Sequence, residues 1–304
     1  MDFVLFVAVY FSVAVVSSSQ AQIYAPTFAN GTVVARLRSR IIDEASGICA
    51  SRIHKDVLYT HNDSGDKARI YAISTKTGQR LMTIEIDGAS AVDYEDISCG
   101  PCDSTSGHCI YVADVGGNSG AVSNTVYKIR EPEVDLTRGK CGTYHVPIKS
   151  KLEFSWDQHD CETIMVDNKA NVYIVSKVNA GQYPKLVRLP HRAWGTKHRV
   201  KVDEGVYLSL KATRLDPVGG DISRDGHEVL LKTHHHVYYW YVPDGDYYKH
   251  MTSQPLQLPY IQEPQGEAVC FDPQATGYYT TSEGRYQPLY YYRRINRSTK
   301  SPSS

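Results

Sequence analysis

The chain has 304 residues, 33 Lys+Arg against 33 Asp+Glu, and 41% hydrophobic content. Balanced charge leaves no basic footprint, so neither nucleic acid nor an anionic membrane is an expected partner. Nothing beyond the first twenty or so residues approaches the length of a membrane span.

In chain order, residues 3–16 form an apolar run followed by small residues at Ser19 and Ala21. The run is short for a bilayer and ends in an acceptable peptidase site, which predicts a signal peptide over 1–21 and a secreted chain starting near Gln22. Residues 32–37 (Thr-Val-Val-Ala-Arg-Leu) then read as a strand in need of a sheet.

Five segments that can be superposed follow: 46–51 (SGICAS), 95–100 (EDISCG), 162–167 (ETIMVD), 220–225 (GDISRD) and 267–272 (EAVCFD). Each carries a branched aliphatic at its third position. Each precedes a turn and a second β-rich run, 57–60, 110–113, 172–175, 229–231 and 278–281, and then a third, 69–73, 125–129, 185–189, 237–240 and 288–292. A fourth run is legible in the first three units, for example 81–86. Unit starts separated by 49, 67, 58 and 47 residues give a blade-sized period with insertions in the second and third units.

No stretch of two helical turns carries a 3.6-residue apolar period and a cap. The expectation is an all-β, five-bladed β-propeller, a single domain over 22–296 followed by a polar tail over 297–304. Its ring would close by pairing 32–37 with the fifth unit, which otherwise has three strands. The 23 tyrosines suit half-buried blade faces, ring packed and hydroxyl wet.

Seven cysteines in an exported chain suggest disulfides plus one leftover thiol. Cys102 and Cys109 flank a polar turn and would staple a hairpin. Cys49 and Cys270 read as buried small apolar side chains on strands. Sequons at Asn30, Asn62 and Asn296 are compatible with a glycoprotein.

The first strand of each propeller blade lines the central channel, so equivalent positions form a ring. The first position of the five units reads Ser46, Glu95, Glu162, Gly220, Glu267. Three carboxylates converging there repel one another and lose hydration unless protons or a cation compensate. Calcium, with six to eight oxygen ligands, is the expected cofactor, held by Glu95, Glu162 and Glu267 with an oxygen from Ser46. An EF-hand loop is absent.

That order, serine, glutamate, glutamate, small residue, glutamate, resembles the central calcium site of the secreted calcium-activated nucleotidase (apyrase) family, which has a five-bladed propeller. Residues 58–65 (LYTHNDSG) and 111–116 (YVADVG) look like that family's strands and loops. Gly220 departs from the pattern, which would supply a side-chain oxygen there. The chain is also similar, over nearly its whole mature length, to poorly characterised secreted propellers with Asn-Asp-Ser-Gly, Glu-Asp-Ile, Asp-Ile-Ser-x-Asp-Gly and Gly-Glu-Ala signatures, here 62–65, 95–97, 221–226 and 266–268.

Second strands end in polar clusters that would gather at one mouth: 62–66, Asp114 with Asn118, Ser176-Lys177, 232–234 and 282–285. Under the nucleotidase resemblance, calcium orients a phosphate or water, Asp63 or Asp114 positions the nucleophile, and Lys177 or Arg285 offsets phosphoryl charge. The competing reading is that mouth loops are polar because they turn in water.

The paired-carboxylate motifs of furanosidases occur in the wrong order. His234 and His236 share a strand face but read as a solvated strand start. Serine-hydrolase, zincin and phosphate-loop motifs are absent. Two functional expectations remain. One is a calcium-stabilised extracellular binding or matrix protein for a protein, glycan or mineral partner. The other is a calcium-dependent phosphohydrolase with a phosphoester substrate.

Overall fold

The computed structural model describes residues 25–103, 107–117, 123–133 and 141–296. The expected signal peptide, Asn118 and the polar tail lie outside them.

The chain is an all-β propeller. Its first strands are β3 (Ala45–Ala50), β7 (Tyr94–Pro101), β11 (Asp160–Val166), β16 (Gly219–Ile222) and β20 (Gly266–Phe271). Each of these packs beside the next, and β20 packs beside β3, so the five stand in a circle. The third-position aliphatics Ile48, Ile97, Ile164, Ile222 and Val269 are all buried, which is why the repeat was visible at all.

From each first strand the chain meanders outward through antiparallel partners. These are β4 (Val57–Asn62), β5 (Arg69–Ser74) and β6 (Arg80–Asp87); β8 (His108–Asp114), β9 (Thr125–Arg130) and β10 (Gly142–Ser155); β12 (Val172–Lys177), β13 (Lys185–Arg188) and β15 (Val206–Tyr207), which follows β14 (Val200–Lys201) in the chain; and β17 (Glu228–Lys232), β18 (Val237–Tyr241) and β19 (Leu256–Leu258). The last group holds β21 (Gly277–Ser282) and β22 (Pro288–Asn296), against which β1 (Thr27–Phe28) and β2 (Thr32–Arg36) pair antiparallel.

The insertion in the second unit has a structural use. β10 is fourteen residues long; its first part runs parallel to β6, Gly142 opposite Met82, and its second part antiparallel to β9, Leu152 opposite Val126. One strand thus covers the outer edge of one meander and completes the next, fusing the two into eight continuous strands of a nine-stranded sheet. An open edge is removed by this pairing. In the third unit the insertion contributes β14, paired to β10. The only α-helix among the described residues is five residues long, α1 (Tyr247–Met251), capped by Asp246, whose side chain accepts from the Lys249 amide.

Apolar clusters fill the spaces between neighbouring meanders. Tyr59 and Met82 pack with Tyr94 and Val112, Tyr111 and Phe154 with Ile164 and Ile174, and Met165 with Ile222 and Trp240. Further round, Leu230 and Tyr239 meet Val269 and Tyr278, and Ala268 and Leu289 meet Ile48 and Tyr71. A strand flanked by neighbours on both faces reads as a continuous apolar run, as β8 does.

The expectation of wet tyrosine hydroxyls holds for exposed residues such as Tyr183 and Tyr207 and is corrected for six others. Tyr59, Tyr71, Tyr94, Tyr111, Tyr278 and Tyr292 are fully buried, and most of their hydroxyls bond inward: Tyr71 to Asp66 Oδ2 at 2.6 Å, Tyr94 to the Ser90 carbonyl at 2.9 Å, Tyr111 to the Pro101 carbonyl at 2.5 Å. With large residues sandwiched between sheets, the hydroxyl needs an internal acceptor.

The repeat also specifies its turns. The sixth position is aspartate in three units, and Asp167 and Asp272 each fold back on the following backbone, accepting from Lys169 and Asn171 (both 2.8 Å) and from Gln274 and Thr276 (both 2.9 Å). These local bonds set the tight hairpin between first and second strands.

Cys102–Cys109 is a disulfide as expected, and a second joins Cys49 to Cys99 across β3 and β7. Cys49 is therefore bonded and not a free apolar side chain; Cys270 is free and buried. Cys141 and Cys161 are also free, so three thiols remain where one was expected. No helix among the described residues is long and apolar enough to cross a membrane.

Candidate functional site

Antiparallel pairing puts the start of each first strand beside the end of its second strand, so Ala45 faces Asn62, Tyr94 faces Asp114, Asp160 faces Lys177 and Gly266 faces Ser282. One mouth of the circle therefore gathers Ser46, Glu95, Glu162 and Glu267 from first strands with Asp63, Lys177, His234 and Glu283 from second-strand ends. The result is an acidic cup.

Two groups of carboxylates are close enough to share a cation. Asp63, Asp93 and Glu95 each offer an oxygen within 4.8 Å of the others, and so do Glu95, Asp160 and Glu162. Glu95 belongs to both. Among the described residues its Oε1 is buried with no hydrogen-bond partner, as is Oε2 of Glu162, and both residues are at most 2% exposed. A buried carboxylate oxygen left unpaired is costly, so the arrangement needs a proton or a cation.

One positive charge is built in. The Lys177 ammonium bonds Glu162 Oε1 and stands 4.0 Å from Asp160 Oδ2. Burial pushes the Glu95 carboxyl well above the usual range, the charges of Asp63 and Asp93 push it further, and Lys177 offsets only part. Asp63 is pushed up to about 7 by burial and then by Asp93 and Glu267, against the Ser64 amide that it accepts at 2.6 Å.

Glu267 is turned elsewhere. It belongs to neither group of candidate ligands; its Oε2 faces the Ser46 hydroxyl at 3.1 Å, and its Oε1 lies 3.7 Å from Nε2 of His234. The Ser46 hydroxyl, with one proton, also faces the Glu95 carbonyl at 2.7 Å. His234 is held by Asp216, whose Oδ1 lies 2.8 Å from Nδ1 and accepts from the His234 amide at 2.9 Å. Burial opposes charge on His234, yet Asp216 and Glu267 together raise its pKa. His234 is thus a buried partner of two acids and not a solvated strand start.

Glu283, beside Glu267, is pushed up to about 9 by burial and then by that neighbour's charge.

The four residues expected to act on a phosphoester divide. Asp63 and Lys177 line the cup. Asp114 sits behind it, its Oδ1 accepting from the amides of Val92 and Asp93 at 3.1 and 2.8 Å, which fixes the loop that carries Asp93. Arg285 is exposed on the rim and pairs with Asp43 at 3.0 Å. Gly220 adds no oxygen side chain; its amide faces Asp96 Oδ2 at 3.4 Å.

Asp93 and Asp160 were missed, although the sequence held a signal. Each stands two residues before a ring glutamate, Asp160 as the first residue of β11 and Asp93 just before β7, and so at the mouth where those strands begin. Gly116 was also missed. A Cβ there would strike Glu95 Oε1 and approach Asp93 Oδ2 to 2.5 Å, so only glycine lets the loop close over these acids.

No protein-family model matches the chain, and no curated protein sequence matches it. Solved structures do. The PQQ-bound aldose sugar dehydrogenase of Streptomyces coelicolor aligns at 11% identity and TM-score 0.48, covering 89% of this chain and 100% of that one. Hydrazine synthase of Kuenenia stuttgartiensis aligns at 11% identity and TM-score 0.41 over 84% of each chain. The Dos1 propeller aligns at 11% identity and TM-score 0.36, over 84% of this chain and 61% of that one.

Proposed function

We propose that the chain is a secreted, five-bladed propeller that holds a calcium ion in its acidic cup and serves as an extracellular binding or matrix protein. The carrying observation is the pair of buried, unpartnered oxygens, Glu95 Oε1 and Glu162 Oε2, inside groups of carboxylates within 4.8 Å of one another. An all-oxygen donor set suits a hard divalent cation. Glu95, common to both groups, would hold it together with Asp63 and Asp93 on one side or Asp160 and Glu162 on the other, with Glu267 and Ser46 bracing the far side.

The blade count rests on the circle of five first strands, and ring closure on β1 and β2 pairing with β22. Two disulfides are consistent with an oxidising compartment. A protein, glycan or mineral partner would meet the mouth loops.

Thermal melting tests the cation. Calcium should raise the midpoint of the chelator-treated protein, and Glu95→Gln should abolish most of that rise. An unchanged midpoint in millimolar calcium, with no heat of binding, would sink the reading.

A second reading, a calcium-dependent phosphohydrolase, is favoured by one observation: Asp63 stands beside Glu95 and partly open at the cup, where it could position a water or a phosphate oxygen next to the cation. Lys177 would offset phosphoryl charge. Phosphate release from nucleoside di- and triphosphates, dependent on calcium and lost in Asp63→Asn, would establish it; no release by folded protein ends it for those substrates.

A further inference from the structure

The opposite mouth carries a different chemistry. First strands end there, and the residues that follow β3 and β16, together with the turn after β20, surround a cavity of about 480 Å³. Arg52, Lys55 and Arg224 supply its cations; Ile53, Pro273 and Tyr279 supply apolar and aromatic wall.

The acids in the lining are already engaged. Asp272 accepts from two backbone amides, from the Thr276 hydroxyl at 2.6 Å and from the Tyr291 hydroxyl at 2.6 Å. Asp56 pairs with Lys76 at 2.6 Å. The cations are not. Arg52 donates from Nε to the Cys99 carbonyl at 2.8 Å, and no described residue accepts from its two Nη groups. Arg224 and Lys55 are exposed, and neither has an ion pair or side-chain hydrogen bond among the described residues. Burial lowers the Arg52 pKa, the charge of Asp221 opposes this, and Arg224 lowers it again; Asp221 lines a neighbouring recess with both arginines and accepts from the Phe271 amide at 2.9 Å.

Two guanidiniums and an ammonium lining one cavity, with Asp56, Asp272 and the nearby Asp221 each bonded elsewhere, leave a position where an oxyanion is favoured. We propose that this cavity binds a small organic molecule bearing a phosphate or sulfate group, the oxyanion received by Arg52, Arg224 and Lys55 and the organic body resting on Ile53, Pro273 and Tyr279. Three cations exceed what one carboxylate requires and match a tetrahedral oxyanion, which arginine forks bind through paired hydrogen bonds. A cavity of this volume exceeds a bare inorganic ion and lies within the usual range for small-molecule sites.

The site lies at the far end from the acidic cup and does not depend on it. The test is calorimetric titration of the full folded chain, in chelator, with phenyl phosphate, phenyl sulfate, inorganic phosphate and inorganic sulfate. At least one phenyl ester should bind saturably, about tenfold or more tighter than its inorganic ion, and the tighter ester identifies the head group. Arg224→Gln, at an exposed position that does not endanger folding, should weaken that binding about tenfold or more, and Arg52→Gln should do the same. Glu95→Gln should leave it unchanged, which separates this site from the cation site. Absence of saturation at millimolar ester, binding equally tight in Arg224→Gln, or inorganic ions binding as tightly as the esters would each overturn the proposal.

Discussion

Oε1 of Glu95 occupies the space into which any side chain at Gly116 would project. The loop after β8 can close over the two carboxylate groups only because that position lacks a Cβ. Gly116→Ala should therefore displace Glu95 or the loop, lower calcium affinity about tenfold or more, and reduce the thermal midpoint. Calcium titration of the variant checks this; wild-type affinity would show that the loop does not constrain the cup.

Lys177 is the cup's resident cation, and its partner Glu162 is buried. Lys177→Met should leave Glu162 uncompensated and cost about 3 kcal/mol in chelator, as breaking a buried pair does. Calcium should recover part of the loss, since it supplies the missing charge. Urea unfolding with and without calcium measures both values; equal stability of variant and wild type in chelator would contradict the pairing.

Protons should substitute for the cation. Glu283 is raised from 4.5 to about 9 and Asp63 from 3.8 to about 7, burial leading in both. Groups raised on folding bind protons more tightly in the folded state, so they stabilise it fully below their unfolded pKa values, and that stability is lost as pH rises through about 7 and then about 9. In chelator, the urea midpoint should be higher near pH 5 than near pH 8, and Glu283→Gln should flatten the dependence. Saturating calcium should weaken or reverse it, because cation and protons compete. A chelated protein that gains stability towards pH 8 would contradict the assignment.

The two disulfides should differ in worth. Cys49–Cys99 closes a loop with a sequence separation of 50, whereas Cys102–Cys109 spans 7. Chain-entropy arguments give about 4 kcal/mol for the first and about 2.5 for the second. Paired alanine variants compared by urea unfolding would show the larger loss at Cys49–Cys99; the reverse order would place the effect in the native state.

Asn62 should carry no glycan despite its sequon. Its Oδ1 accepts from the amides of Asp43 and Glu44 at 3.2 and 3.3 Å, and its Nδ2 donates to the Ile41 carbonyl at 2.7 Å and to Asp66 at 3.1 Å. An amide nitrogen so placed is buried and bonded, whereas Asn30 is exposed. Peptide mass mapping of protein exported by a glycosylating host should find Asn62 unmodified, and Asn62→Ala should destabilise by about 2 kcal/mol. A glycan there would mean that this loop opens before it folds.

The repeat was legible because its period is set by local requirements that every unit meets separately. A branched aliphatic must be buried in each first strand, and three of the units also fold their hairpin on an aspartate. Ile48, Ile97, Ile164, Ile222 and Val269 satisfy the first wherever they fall in the chain. The same register brought Ser46, Glu95 and Glu162 to one mouth, and antiparallel pairing delivered Asp63 and Lys177 beside them. Asp93 and Asp160 were readable in principle from their place just ahead of a ring glutamate, where a first strand begins.

Other features depend on distances between sheets, and no residue pattern encodes those. That Glu162 rather than Glu95 takes the Lys177 ammonium, that Glu267 turns to His234, that Cys49 reaches Cys99, and that Arg52 and Arg224 line one cavity all follow from how the sheets pack. Side-chain periodicity along a strand fixes which face a residue joins. Only the packed ring fixes which residue from another sheet it meets, and ionic, disulfide and steric interactions act over a few ångströms, so partners were decided there.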